Sequence, residues 1–400
     1  DSGLAASNLA YPISAFIQAV GTGIGLSGAI RFTILRGQKH QNQRREEMEC
    51  FTSTAILLVF ASILLTVLIF VALSPLLLLL GASGEICRLA REYVQVIAAG
   101  ALLQVCATGL VPFVRNLGGS SFAMFTMVAG FLTNIVLDYL LVWVYGYGMA
   151  GAAVATIIGQ GVTMAASIVY LVKKKIGVLF PAYRESGFVV ILKVAVAPFG
   201  LTFSPQITTI LMNRSLMIYN GEQAVAVYGC IVYILAIIYL LLQGVGDGSQ
   251  PLISRYYSEG KLTVLKQMRR LAYLTSGAIA LACMIVMFIL RGQIGILFGA
   301  SSETNGEVAK YLPLFLATLL FLSYVRVTTA YFYATEKAGL SYLLVYAEPV
   351  ATFFFLLLLP RIYAISTVAV WVSVPAAQII TWCVAITAKH KVDRKTWIEV

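Results

Sequence analysis

Of the 17 acidic residues in this 400-residue chain, only Asp138 and Glu348 lie well inside long apolar runs. A charge at mid-bilayer costs at least ~2.5 kcal/mol even on the gentlest scale, so each carboxyl needs a chemical reason to be there. Asp138 follows Asn134 by one helical turn, which puts both side chains on one face. Asp138 stands about seven residues from the outer end of its run and Thr156 about seven residues into the next, so the three groups share one depth. A carboxyl, an amide and a hydroxyl gathered there could hold a proton or a Na⁺. They could equally form a static tie between two helices, with the aspartate permanently protonated.

Glu348 lies about eight residues, and Arg326 about six, from the same-sided ends of their runs, a similar depth that lets them pair. A buried salt bridge that fixes packing is the plainer use of such a pair, and a shared proton site the sharper one. Gln18, Gln206 and Asn213 are candidates for lining a cavity, and Gln104 and Gln160 for tying helices together. Asp247 reads as a solvated or gate residue at a helix end. The string Gly23-x-Gly25-x-x-Gly28 matches a dinucleotide fingerprint, but it closes an apolar run with no strand before it, so close helix packing and a bend account for it. The two histidines, His40 and His390, fall in polar segments. No set of side chains has the spacing of a catalytic or metal centre, so the expectation is no enzyme, no cofactor and no metal beyond an H⁺ or Na⁺ at Asp138.

The elements that must position these groups are helices in lipid. Sixty per cent of the residues are apolar and 11 per cent charged, against roughly 25 per cent charged in soluble domains. Mean hydropathy is +0.89. Eleven runs are long enough to cross a hydrocarbon core, at 9–35, 51–73, 93–114, 122–145, 149–172, 188–211, 223–243, 271–290, 308–332, 340–359 and 366–388. Their length and lack of alternation select helices over a barrel. The formal charge of +11 sits in short connections, without the aromatic interleaving of a nucleic-acid surface. Counted by alternate connections, Lys and Arg divide 22 to 6, which puts the richer set and the C-terminus in the cytoplasm. The six cysteines form no C-x-x-C pair and read as free thiols.

The chain also repeats itself. Gly21-Thr-Gly23-Ile-Gly25 and Gly244-Val-Gly246-Asp-Gly248 each end a predicted span and are followed by a further glycine, and Gln160 and Gln378 match at an offset of 218. Two copies of a helical unit is a plan that transporters use. The predicted division is 1–172 for the first lobe, 173–187 for a cytoplasmic linker carrying Lys173-Lys174-Lys175, and 188–400 for the second. Run 188–211 has no partner in the first half, so the natural protein is expected to carry about one further helix before Asp1, making six plus six.

Several strings carry a resemblance. They are P-x-x-R-N-x-G from Pro112, N-I-x-L-D from Asn134 to Asp138, G-M-A-G-A-A-x-A-T from Gly148 to Thr156, A-V-Y-G from Ala226, G-x-G-x-G-x-Q-P from Gly244 and V-W-x-x-x-P from Val370. Together they resemble the multidrug and toxic compound extrusion (MATE) family, nearest its MepA-like bacterial branch. The resemblance implies an all-α polytopic membrane protein, with eleven helices here and twelve in the full chain, in two pseudo-symmetric six-helix lobes around a central cavity. It implies an H⁺- or Na⁺-coupled antiporter that exports organic, cationic or amphipathic small molecules by alternating access. Asn134, Asp138 and Thr156 match the family's coupling-cation cluster, which an aspartate on the family's first span usually completes. A flippase for lipids or lipid-linked oligosaccharides is the alternative within related two-lobe families. The expected setting is a bacterial cytoplasmic membrane, as a monomer, with a small-molecule substrate and lipid as partners and no nucleic acid. The chain departs from the pattern in its second lobe: runs 188–211 and 308–332 carry no acid, and Leu344 stands where the MepA-like branch often has an arginine, with Glu348 nearby.

Overall fold

With no water to satisfy them in a bilayer, backbone groups in these runs must pair within their own segment. The computed structural model describes residues 2–38, 42–79, 84–179, 186–297, 301–362 and 366–397, and these are helical almost throughout. The helices are α1 (Ser2–Gly37), α2 (Gln43–Leu79), α3 (Gly84–Ala99), α4 (Ala101–Asn116), α5 (Ser120–Asp138), α6 (Gly148–Lys173), α7 (Ser186–Asn220), α8 (Glu222–Ser258), α9 (Leu262–Leu290), α10 (Ile294–Leu297), α11 (Ser302–Leu316), α12 (Leu319–Ala334), α13 (Ala338–Ile362) and α14 (Ser366–Trp397). A short π-helix, Tyr139–Val144, continues α5. Among the described residues nine helices are long and apolar enough to cross a membrane, or eleven crossings if each bent pair counts as one.

All eleven predicted runs are helical, with three corrections to their form. The runs 93–114 and 308–332 are broken, α3 meeting α4 at 57° and α11 meeting α12 at 47°. The first break falls at Gly100, where a side chain would collide with Ile157 of α6. The second falls at Ala317 and Thr318. From Gly100 to Thr318 the offset is 218, the same as from Gln160 to Gln378, so the repeat read in the sequence is present in the helix breaks. The glycine tracts do not end their spans either: α1 runs on to Gly37 and α8 to Ser258. Helical hydrogen bonding needs no Cβ, and these glycines cost the helix less than leaving it would. Of the predicted linker, α6 ends at Lys173 and α7 begins at Ser186, and residues 180–185 lie outside the described residues. So do Lys39 and His40.

Contacts divide the chain into two compact units, 1–203 and 204–400, with the boundary inside α7. In the first unit α1 packs against α4 with its glycines inward. A Cβ at Gly21 or Gly25 would strike the backbone of Val105 or Gly109, and one at Gly28 would strike Thr54 of α2. Gly23 faces Ala195 and Phe199 of α7, and Phe16 meets the Phe199 and Phe203 rings edge-on at 5.5 and 5.3 Å. Close packing thus accounts for the first glycine tract as the sequence suggests. It does not account for the second: only Gly246 packs, near Ala330 of α12, while a Cβ at Gly244 or Gly248 would have no described atom within 4 Å. Gln104 is a tie as predicted, its Nε2 donating to Ser14 Oγ at 2.9 Å. Asn116 of the P-x-x-R-N string donates to the Ala29 carbonyl at 2.7 Å and fastens the end of α4 to α1.

The second unit is centred on Trp371 of α14, which stacks on Tyr311 with centroids 4.1 Å apart and is flanked by Tyr228 and Phe315. At the α9 end, Arg269 makes a two-pronged pair with Asp393 of α14, Nη1 to Oδ1 at 2.8 Å and Nη2 to Oδ2 at 3.0 Å. Lys389 reaches the same carboxylate at 3.2 Å. The Arg269 guanidinium lies 4.6 Å over the Tyr331 ring, which Lys337 also faces at 5.5 Å. Planar delocalised charge stacked on an aromatic face and forked onto a carboxylate is the arrangement in which arginine is best tolerated away from water.

Candidate functional site

The hairpin of α5 and α6 is held together by missing side chains. Gly130 and Gly159 face each other so closely that a Cβ on Gly159 would lie 2.7 Å from the Gly130 carbonyl oxygen. This approach brings the next turn of each helix together. Asn134 Nδ2 donates to Thr156 Oγ1 at 3.5 Å, and Thr156 Oγ1 donates to the Ala152 carbonyl at 3.0 Å. One turn above, Asp138 is half-buried beside Asn134, and its Oδ1 is buried without a hydrogen-bond partner among the described residues. Asn134, Asp138 and Thr156 are therefore gathered in one place, as their spacing predicts.

Two contributors were not read from the sequence. Tyr93 of α3 turns its hydroxyl toward Thr156 and stands within electrostatic range of Asp138. The Gly100 break, at the end of the same helix, turns α3 by 57° from α4 and lies against Ile157 of α6. The second contributor is the π-helix, which begins at the residue after Asp138. Wide π turns inside an α-helix recur at functional sites, because the slipped hydrogen bonds free backbone groups and re-aim side chains. The sequence signal for it is weak: Tyr139–Val144 is a plain apolar and aromatic run. Tyr139, Trp143, Tyr145 and Tyr147 are all exposed, and Trp143 is 83% exposed. Rings of this kind gather at the membrane–water interface, which puts Asp138 one to two turns below it.

The second unit holds another polar group. Arg326 is buried in α12, and Glu348 is half-buried in α13. They meet through intermediaries and not through a simple pair. Gln378 of α14 donates from Nε2 to Glu348 Oε1 at 3.3 Å and to the Tyr239 hydroxyl at 2.9 Å, while its Oε1 accepts from Thr318. Arg326 lies 5.6 Å over the Tyr239 ring and donates to Gln243 Oε1 at 3.3 Å. Asp247 is corrected from a helix end to the interior of α8, where it accepts from Gln243 Nε2 at 3.0 Å and from the Tyr333 hydroxyl at 3.4 Å. Of the other candidates, Gln18 is half-buried in α1 of the first unit, and Gln206 and Asn213 are half-buried in α7 of the second. Asn213 Oδ1 is buried with no hydrogen-bond partner among the described residues.

Nine to eleven candidate crossings among the described residues, an internal repeat and polar clusters inside apolar helices fit a membrane transporter, and its family and relatives make it a transporter and not an enzyme. The MatE family model matches residues 1–140 and 194–357, so the chain belongs to the MatE family. Among curated relatives, the multidrug export protein MepA of Staphylococcus saprophyticus is 25% identical over 321 residues, which is 79% of this chain and 70% of that protein. The MepA protein of a Staphylococcus aureus strain is 23% identical over 80% of this chain and 70% of its own length. Among solved structures, a MOP superfamily transporter from Pyrococcus furiosus superposes with a TM-score of 0.90 at 22% identity, covering 98% of this chain and 88% of that one. An outward-facing multidrug resistance MATE transporter gives 0.86 at 22% identity over 98% and 89%.

Proposed function

We propose that the protein is an H⁺- or Na⁺-coupled antiporter that exports organic cationic or amphipathic molecules by alternating access. The observation that carries this reading is Asp138: a half-buried carboxyl with an unpartnered oxygen, beside an amide, a hydroxyl and a phenol. A carboxylate with spare acceptor capacity, beside amide, hydroxyl and phenol oxygens, can take up a small cation and give it back as the neighbouring helices shift. The cation occupies the Asp138 cluster from outside and favours the state that releases substrate. The names of the staphylococcal relatives support multidrug export and lend nothing to a lipid flippase. The charge bias supports a bacterial cytoplasmic membrane with the C-terminus inside.

The test is transport in proteoliposomes with pH and Na⁺ gradients imposed independently. Wild type should move a lipophilic organic cation against its gradient with one of the two. Asp138→Asn should lose gradient-driven export while keeping its monodisperse elution in detergent. Full export by that variant would remove Asp138 from the mechanism.

A further inference from the structure

The Tyr239, Gln243 and Asp247 side chains recur every four residues along α8 and so form one stripe on one helix face. Each is tied into a continuous polar track. At one end the Tyr239 hydroxyl shares the Gln378 amide with Glu348; in the middle Arg326 stacks on the Tyr239 ring and donates to Gln243; at the other end Gln243 donates to Asp247. The track spans eight residues, about 12 Å of helix rise. Among the described residues the charged groups facing it are Arg326 of α12 and two acids, Glu348 of α13 and Asp247 of α8. The titratable neutral groups are Tyr228 and Tyr239 of α8 and Tyr333 of α12. From α14 the track receives an uncharged amide, Gln378.

This composition has a consequence in a low-dielectric setting. With both acids ionised the track carries a net charge of −1; with one proton bound it is neutral. Glu348 is the poorly served acid. Its carboxylate receives one hydrogen bond, 3.3 Å long, where an ionised carboxylate can accept about four. Asp247 is better served, accepting from an amide and a phenol among its contacts. Gln378, which fixes Glu348, is itself held: its two amide protons and its oxygen are all engaged, and it is 3% exposed.

We propose that the second unit carries a proton-binding site of its own, in which Glu348 takes up one proton and Arg326 divides its charge between Glu348 and the Gln243–Asp247 branch. Proton uptake converts the Glu348 carboxylate to the neutral acid, with water as the proton source. Arg326 then bears on Asp247 alone, and on release it turns back toward Glu348. The site draws on the antiport reading only for the use to which the proton is put.

The test is infrared pH titration of the protonated-carboxyl stretch, on the purified full chain in lipid vesicles. Wild type should show two carboxyl bands resolved from the merged band of the remaining acids, one from Asp138 and one from Glu348. Asp138→Asn should remove one and Glu348→Gln the other. Asp247→Asn should keep the Glu348 band and move its midpoint down by about one pH unit or more, since the cation then has a single acid to serve. A merely structural Glu348 would give no such shift. A Glu348→Gln spectrum identical to wild type, or an Asp247→Asn midpoint that stays put, would overturn the proposal. If Glu348→Gln does not fold, the Asp247→Asn midpoint, read on the native glutamate, decides alone. Loss of export in Asp138→Asn with the Glu348 band retained bears on the antiport reading and leaves this one standing, whereas loss of the Glu348 band in that variant would count against a separate site.

Discussion

Replacing Gly159 with alanine tests how the Asn134–Thr156 contact is built. A Cβ at residue 159 would stand 2.7 Å from the Gly130 carbonyl oxygen and 3.1 Å from Asn134 Cβ. The first obstacle is backbone, so no rotamer relieves it. Ordinary contact begins at 3.4 Å, so α5 and α6 must part by about 0.7 Å along that line. The Asn134 Nδ2 to Thr156 Oγ1 distance is 3.5 Å and already at the edge of a hydrogen bond. The same displacement carries it beyond 4 Å and opens the cluster under Asp138. Overpacking costs ~1–3 kcal/mol and the lost interhelical bond ~0.6, while relief of glycine's entropy in a helix returns ~0.5–1, a net loss of about 2 kcal/mol. At about 2–4 °C per kcal/mol for a unit of some 200 residues, the apparent melting temperature should fall by about 4–8 °C.

A thiol-reactive dye on a temperature ramp reads this directly, because Cys50 and Cys106 of the first unit are buried and in no disulfide. The controls are Gly229→Ala and Gly277→Ala, where an added Cβ has no described atom within 4 Å. Both should melt with wild type or a few degrees above it. If Gly159→Ala melts with the controls, or the controls fall as far as Gly159→Ala, the backbone approach is not what sets the site. Cation-driven export should fall in Gly159→Ala and not in the controls.

Two further outcomes follow from the second unit. Asp393→Ala should be the more damaging of the pair at the α9 end, by about 3–5 kcal/mol, because it strands buried Arg269 beside Lys337 and Lys389. Arg269→Ala should cost less, since Lys389 still meets the carboxylate; equal dye-detected losses would refute the asymmetry. Lys337, between α12 and α13, is held below the ordinary lysine range first by burial and then by the Arg269 charge. The folded state therefore binds its proton more weakly than the unfolded state, and stability rises as pH climbs toward the unfolded value of about 10.4. Lys337→Met should flatten that alkaline rise and melt above wild type near neutral pH; an unchanged slope between pH 8 and about 10.4 would refute it.

The helices were legible because lipid imposes one rule on the backbone, and eleven apolar runs obey it. The Asn134, Asp138 and Thr156 cluster was legible because helical periodicity and span depth fix where such side chains meet. What escaped has a common cause: it depends on neighbours in space. Gly100 looks like any glycine in an apolar run until Ile157 of α6 is seen against it. Tyr93 belongs to a run that changes direction at that break. The π-helix leaves no compositional trace, and Asp247 was misplaced because a glycine tract in lipid can stay helical where the same tract in water would turn.

The repeat explains why the two acids are not equivalents. At the offset of 218, Tyr93 corresponds to Tyr311, Asp138 to Leu356 and Ala153 to Trp371. In the first unit that locus is polar: a phenol, a carboxyl, an amide and a hydroxyl. In the second, Tyr311 is stacked flat on Trp371, and both belong with Leu356 to a dry aromatic and aliphatic core. Only Thr352, the counterpart of Asn134, stays polar there, with its hydroxyl oxygen buried and unpartnered. A charge there would be taken out of water into an aromatic and aliphatic core, where the Tyr311–Trp371 stack fills the space. The second unit's acid stands instead at 348, the counterpart of Gly130, eight residues or about 12 Å back along its own hairpin. There the place that glycine leaves for close packing in one half is occupied in the other by a carboxyl, and the helix facing it supplies Gln378. The duplicated helices thus hold one polar locus per copy at different heights in the repeat, Asp138 beside the exposed aromatic ring set and Glu348 at the end of the α8 stripe.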